Sequence, residues 1–153
     1  MKPIESWLSE YGESHQNKTN KAIHWICVPL IFWSIVALLY SVSLPFGLMG
    51  VPFTVAHVVL IFVLAYYVRL STSLALGMLV FTLVCLTVCN VLVMSGINLW
   101  LVAIIVFVAA WIGQFFGHKI EGKKPSFLKD LQFLLIGPAW LMSDLFRRWS
   151  IPL

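Results

Sequence analysis

Charge is missing from most of this chain. No Lys, Arg, Asp or Glu occurs from Ala22 through Val68, and none from Leu70 through His118. Each of these runs is roughly twice the ~20 apolar residues that cross a bilayer once, so each predicts a helical hairpin rather than one span. A soluble domain is excluded, because 153 residues at 61% hydrophobic and a mean hydropathy of +0.96 leave too little polar surface to cover a core. Cysteine is scarce: Cys27, Cys85 and Cys89 all fall in apolar runs, where thiols serve packing, and no disulfide framework is implied. The chain also lacks a fixed-period repeat, a low-complexity tract and a phosphate-binding Gly-rich loop. Its first 21 residues carry Glu5, Glu10 and Glu13 among lysines without a short apolar core, so no cleavable signal peptide is expected.

Turn-forming residues divide the two runs. The first breaks over Ser41 to Gly47, with Gly50 and Pro52 following, and the second around Ser95-Gly96-Ile97-Asn98. The expected fold is an all-α integral membrane protein, a single membrane domain over 1–153. Its four transmembrane helices form two hairpins, with spans near 22–41, 53–70, 72–94 and 98–117. Residues 1–21 form an N-terminal interfacial segment in which Ile4, Trp7, Leu8 and Tyr11 share a helix face. Residues 119–153 form a loop and a re-entrant or interfacial helical tail, since Lys129, Asp130 and Gly137-Pro138 oppose a full crossing. With four spans all ten Lys and Arg residues fall on one side, which the positive-inside rule makes the cytoplasm, together with both termini. The net charge of +4 then belongs to that face, where it favours anionic headgroups or an anionic substrate; nothing points to nucleic acid.

This topology gathers three of the four histidines. His15 and His24 precede or begin span 1 and His118 ends span 4, so all three lie at the same membrane depth and form a candidate metal site. His57 begins span 2 on the opposite side, roughly 20 Å away at the usual helical rise, and is left to a hydrogen bond between helices or an interfacial anchor. In a helix Asn17, Asn20 and His24 share one face. Pro29 frees the carbonyl of Trp25, a possible partner for a histidine or a water. At the other end Gln114, His118 and Glu121 stand at offsets of four and three, so one helix face presents an amide, an imidazole and a carboxylate. A carboxylate one turn from a histidine either ligates a metal or orients the histidine that does.

The run Tyr11-x3-His15-x-Asn17-x2-Asn20-x3-His24-x4-Pro29, joined to Gln114-Phe115-x-Gly117-His118 and followed by Glu121, Lys123-Lys124-Pro125 and Gly137-Pro138, resembles a small membrane-protein family. That family includes the fungal 2-hydroxy-fatty-acid dioxygenase of α-oxidation. The resemblance implies a bacterial-type member in the inner membrane, an Fe(II) enzyme that cleaves a 2-hydroxy fatty acid with O2 to a fatty acid one carbon shorter. By position His15, His24 and His118 are then the iron-binding histidines. Glu121, three residues after His118 where the fungal enzyme has four, is a ligand or an orienting group, and Glu121 and Gln114 are assigned to catalysis. Asn17, Asn20, Lys119, Lys123 and Lys124 are left to the substrate, whose carboxylate the lysines would hold while membrane lipid solvates its chain. Two other readings remain open at this level, another metal-dependent lipid enzyme on the same ligands and a non-catalytic membrane protein. The absence of repeated His-x-x-His-His boxes counts against a di-iron lipid hydroxylase.

Overall fold

The computed structural model describes residues 3–13, 18–48, 51–121 and 136–151. Among these residues the chain is mostly helical, with helices α1 (Ile4–Glu13), α2 (Lys18–Tyr40), α3 (Val55–Leu70), α4 (Thr72–Met94), α5 (Leu99–Glu121) and α6 (Ile136–Arg148). Helices α2, α4 and α5 are long and apolar enough to cross a membrane. Helix α3 is apolar but has 16 residues, about 24 Å at 1.5 Å per residue against a hydrocarbon core of about 30 Å.

The helix boundaries have local causes. Ser71 separates α3 from α4 with an extended backbone, and its Oγ accepts the Leu74 N–H at 3.3 Å to cap α4. Helix α4 ends where Gly96 adopts φ +76°; the Gly96 N–H then bonds Val93 O and the Ile97 N–H bonds Leu92 O, a Schellman closure. Asn98 Oδ1 accepts the Leu101 N–H to start α5.

Between α2 and α3 the chain departs from the all-α expectation. Strands β1 (Ser43–Leu48) and β2 (Val51–Thr54) pair antiparallel, with Ser43 opposite Thr54 and Leu48 opposite Val51. Pro45 and Pro52, read in the sequence only as breakers, are tolerated because both strands of a two-stranded sheet are edges. The hairpin ends at Thr54, whose N–H donates to His57 Nδ1 at 3.0 Å in a reciprocal cap on α3. His57 therefore caps its own helix instead of bonding between helices.

The two expected hairpins are not the main packing units. Helix α2 packs most extensively along α5 and α3 along α4, whereas α4 and α5 share little surface despite their short turn. A charge-free run fixes that a helix enters a membrane but not which helix it meets; in lipid, small residues that let backbones approach decide that. Helix α2 is the hub. One side presents Phe32, Val36 and Ala37 to the main core with Leu60, Tyr67, Leu74, Met78 and Cys85, while Cys27 and Ile31 pack with Ala110 of α5. The outward faces are apolar as well; Phe62 is 71% exposed and Ile112 65% exposed, the reverse of a soluble surface.

Helix α6, 13 residues long, is too short to span and carries Pro138 in its first turn, where the missing N–H is no loss. It packs on α1, α4 and α2. Ile136 meets Trp7, Leu70 and Trp140, so α1 and α6 close one end of the bundle beside the α3–α4 junction.

The α2–α5 seam rests on a contact that a single methyl tests. A Cβ on Gly113 would lie 2.6 Å from Cys27 Sγ. Gly113→Ala is expected to destabilise the protein by roughly 1–3 kcal/mol through overpacking. Cys27→Ala on that background should recover more than additivity allows. Thermal unfolding in detergent of both single variants and the double variant measures the coupling, and strictly additive effects would show that the seam does not close at this point.

Candidate functional site

The first turns of α2 bury polar groups where an apolar helix should have none. Asn20 and His24 lie one turn apart and are 0% and 1% exposed. His24 Nδ1 is 2.9 Å from the carbonyl oxygen of Asn20. A carbonyl only accepts, so Nδ1 carries the proton and the lone pair of the neutral ring resides on Nε2. An imidazole whose far nitrogen is held this way is oriented as metal-binding histidines commonly are. The sequence pointed to Trp25 O, freed by Pro29, as a possible partner. The ring turns back to Asn20 instead, because helical side chains lean toward the N-terminus of their helix.

Helix α5 runs antiparallel across these residues. Gly113 faces Cys27, and one turn later Gly117 faces Asn20 and His24: a Cβ there would collide with Asn20 Oδ1 and lie 3.5 Å from His24 Cε1. No residue but glycine fits between the helices at this level. His118 follows Gly117 directly, so the α5 backbone brings its position alongside His24, although the two are almost a hundred residues apart in sequence. Positions 114, 118 and 121 share a face of α5. Gln114 is 8% exposed, and its buried Oε1 has no hydrogen-bond partner among the described residues.

The other candidates fall in different places. His15, Asn17, Lys123 and Lys124 lie outside the described residues, and His118 and Glu121 are placed by the α5 backbone. Lys119 is exposed and sits off the face shared by positions 114, 118 and 121. Among the described residues no three His, Cys, Asp or Glu side chains gather closely enough to hold a metal. His57 is at the opposite end of the bundle, its ring tilted against those of Tyr40 and Phe53 with centroids 5.9 and 5.5 Å away.

Two features went unread in the sequence. The first is the glycine pair, visible as Gly113-x3-Gly117 in an apolar helix, the spacing that lets two membrane helices touch. The second is α6 as a strap. Its Arg148 guanidinium lies 5.4 Å from the centre of the Trp25 ring and bonds Asp144 at 3.1 Å, so Arg148 packs beside the His24 turn. No local pattern announces that contact, because it joins opposite ends of the chain.

Comparison with known proteins agrees with this arrangement in extent. Residues 1–149 match the family model described as 2-hydroxy-palmitic acid dioxygenase Mpo1-like, a match that includes α1, the α2–α5 seam and α6. No curated protein and no solved structure matches the chain. With nearly its full length accounted for by that one family, the chain belongs to the Mpo1-like family of 2-hydroxy-palmitic acid dioxygenases.

Proposed function

We propose that the protein is an Fe(II)-dependent dioxygenase that converts 2-hydroxy fatty acids to fatty acids one carbon shorter. The observation that carries this reading is the buried His24, held through Nδ1 by Asn20 O so that the ring's lone pair lies on Nε2, against the helix that bears His118. Family membership supplies the substrate class. Neutral imidazoles and a carboxylate suit non-haem Fe(II) and leave coordination positions for small ligands. The residues that would hold the metal are His15, His24 and His118, with Glu121 as a further ligand or the group that orients His118. Fe(II) bound there would supply the redox chemistry for O2-dependent cleavage between carbons 1 and 2. The reaction balances without an external reductant: one 2-hydroxy acid and one O2 give the shortened acid, CO2 and water.

The protein's own groups do the positioning. Asn20 O fixes the His24 ring, and Gly117 admits α5 close enough to bring position 118 beside it. Asn17 and Asn20 are assigned to substrate contact. The positive charges of Lys119, Lys123 and Lys124 would attract the substrate carboxylate from the membrane surface. The acyl chain remains among apolar helices, so the bilayer stores the substrate and solvates its tail. In this reading α3 is a fourth crossing whose short length the bilayer accommodates by local thinning. Both termini and the metal face the cytoplasm of a bacterial cell.

Two measurements test this. Metal analysis should show iron in the wild type and in His57→Ala, and its loss in His24→Ala; His57→Ala should instead lower stability by about 1 kcal/mol through the lost cap. Full iron occupancy in His24→Ala would remove that residue from the site. Separately, incubation with Fe(II) and O2 should yield a one-carbon-shorter acid from a long-chain 2-hydroxy fatty acid, read by mass spectrometry. The matching plain fatty acid should react poorly because it lacks one arm of the chelate. A shortened product formed without O2, or equal turnover of the plain acid, would overturn the mechanism.

A further inference from the structure

Gln114 presents a problem that the metal ligands do not solve. Its Oε1 is buried with no partner among the described residues, and an unpaired buried acceptor is destabilising unless a ligand or water completes it. The group that completes it must donate a hydrogen bond. Depth narrows the choice. Position 114 lies one turn before 118, about 6 Å along α5 toward the apolar interior, while Lys119 is at the polar end. From the rim inward, α5 therefore offers a cation, the metal-site level, an uncharged acceptor, and then the apolar Ala110 and Phe107. A fatty acid entering head-outward presents a carboxylate, then carbon 2, then its chain, in the same order.

We propose that Gln114 Oε1 is the acceptor for the 2-hydroxyl of the substrate, and that this residue sets the preference for 2-hydroxy acids over other acids of the same length. The inference rests on the dioxygenase reading of the seam and assigns the recognition step within it. The hydroxyl oxygen keeps its lone pairs for the metal while its proton goes to the amide oxygen, so the two interactions do not compete. A plain fatty acid leaves Oε1 buried and unpaired. A 2-oxo acid is worse, since it sets a second acceptor against the first. Sites built to bond a substrate hydroxyl reject analogues that lack it far more strongly than apolar pockets reject a change of shape.

The test is equilibrium binding under anaerobic conditions, which prevents turnover, with the full-length protein in lipid nanodiscs. The probes are 2-hydroxypalmitate, palmitate and 2-oxopalmitate. The wild type should prefer the 2-hydroxy acid over both. Gln114→Met, which keeps the length of the side chain but removes the amide, should shrink that preference roughly tenfold or more, mostly by weakening the 2-hydroxy acid. Gln114→Glu retains an acceptor oxygen and should keep the order of preference. An unchanged preference in Gln114→Met, or equal weakening of all three probes, would overturn the proposal. A parallel assay with O2 separates the two ideas. Shortened product with a Gln114-independent preference sinks the hydroxyl contact alone, whereas a Gln114-dependent preference without product sinks the dioxygenase reading and leaves the contact standing.

Discussion

Two positions without side chains govern how this molecule is put together. At Gly113 and Gly117 the backbone of α5 comes against Cys27, Asn20 and His24 of α2, and a Cβ at either position would meet an atom already there. In lipid there is no hydrophobic force to draw helices together, so close van der Waals contact and the few interhelical polar groups must do it. The α2–α5 seam uses both. Because α2 also carries the core contacts to α3 and α4 and receives α6, displacing it from α5 would disturb the whole bundle.

The polar groups of the seam are tolerated for different reasons. His24 is stabilised by a carbonyl of its own helix, and Ser34 in the same way bonds Ile31 O at 2.7 Å. These are local solutions, available to any helix: the one on Ser34 satisfies its hydroxyl, whereas the one on His24 fixes Nδ1 and puts the ring's lone pair on Nε2. Gln114 Oε1 has no hydrogen-bond partner among the described residues. That separates it from Ser34, which its own helix satisfies, and gives it capacity to recognise another molecule.

Much of this architecture was legible in the sequence, and the reason is electrostatic. Charge-free runs locate apolar helices almost to the residue: the expected 72–94 is α4, and the expected 98–117 begins one residue from α5. The turn chemistry of Gly96 and Asn98 was equally plain. Pairing was not legible, because Leu, Val and Ile on every face of a helix carry no directional signal; only the glycine spacing did, and it is two letters in 153. The β-hairpin was hidden because Ser-Val-Ser-Leu-Pro-Phe-Gly contains the same breakers as an irregular loop. At the site, the roles of Asn20 and His24 as neighbours on one face followed from spacing. The direction of the His24 ring did not, since it depends on which of two carbonyls the rotamer reaches. The nearness of position 118 to His24 also required the antiparallel register, which no local pattern encodes.

The register has a consequence for the order of assembly. Asn20 and Gly117 bracket almost the whole apolar part of the chain, so the contact they share joins the first long helix to leave a ribosome with the last. Everything between them must already be in the bilayer before the two can meet. Neither the 41–54 connection nor the 95–98 turn carries a formal charge, so moving them through hydrocarbon involves no Born penalty. Insertion of the intervening helices is therefore easy, and closure of the seam is the late event. A chain halted before α5 would have its membrane anchors but only half of its polar seam.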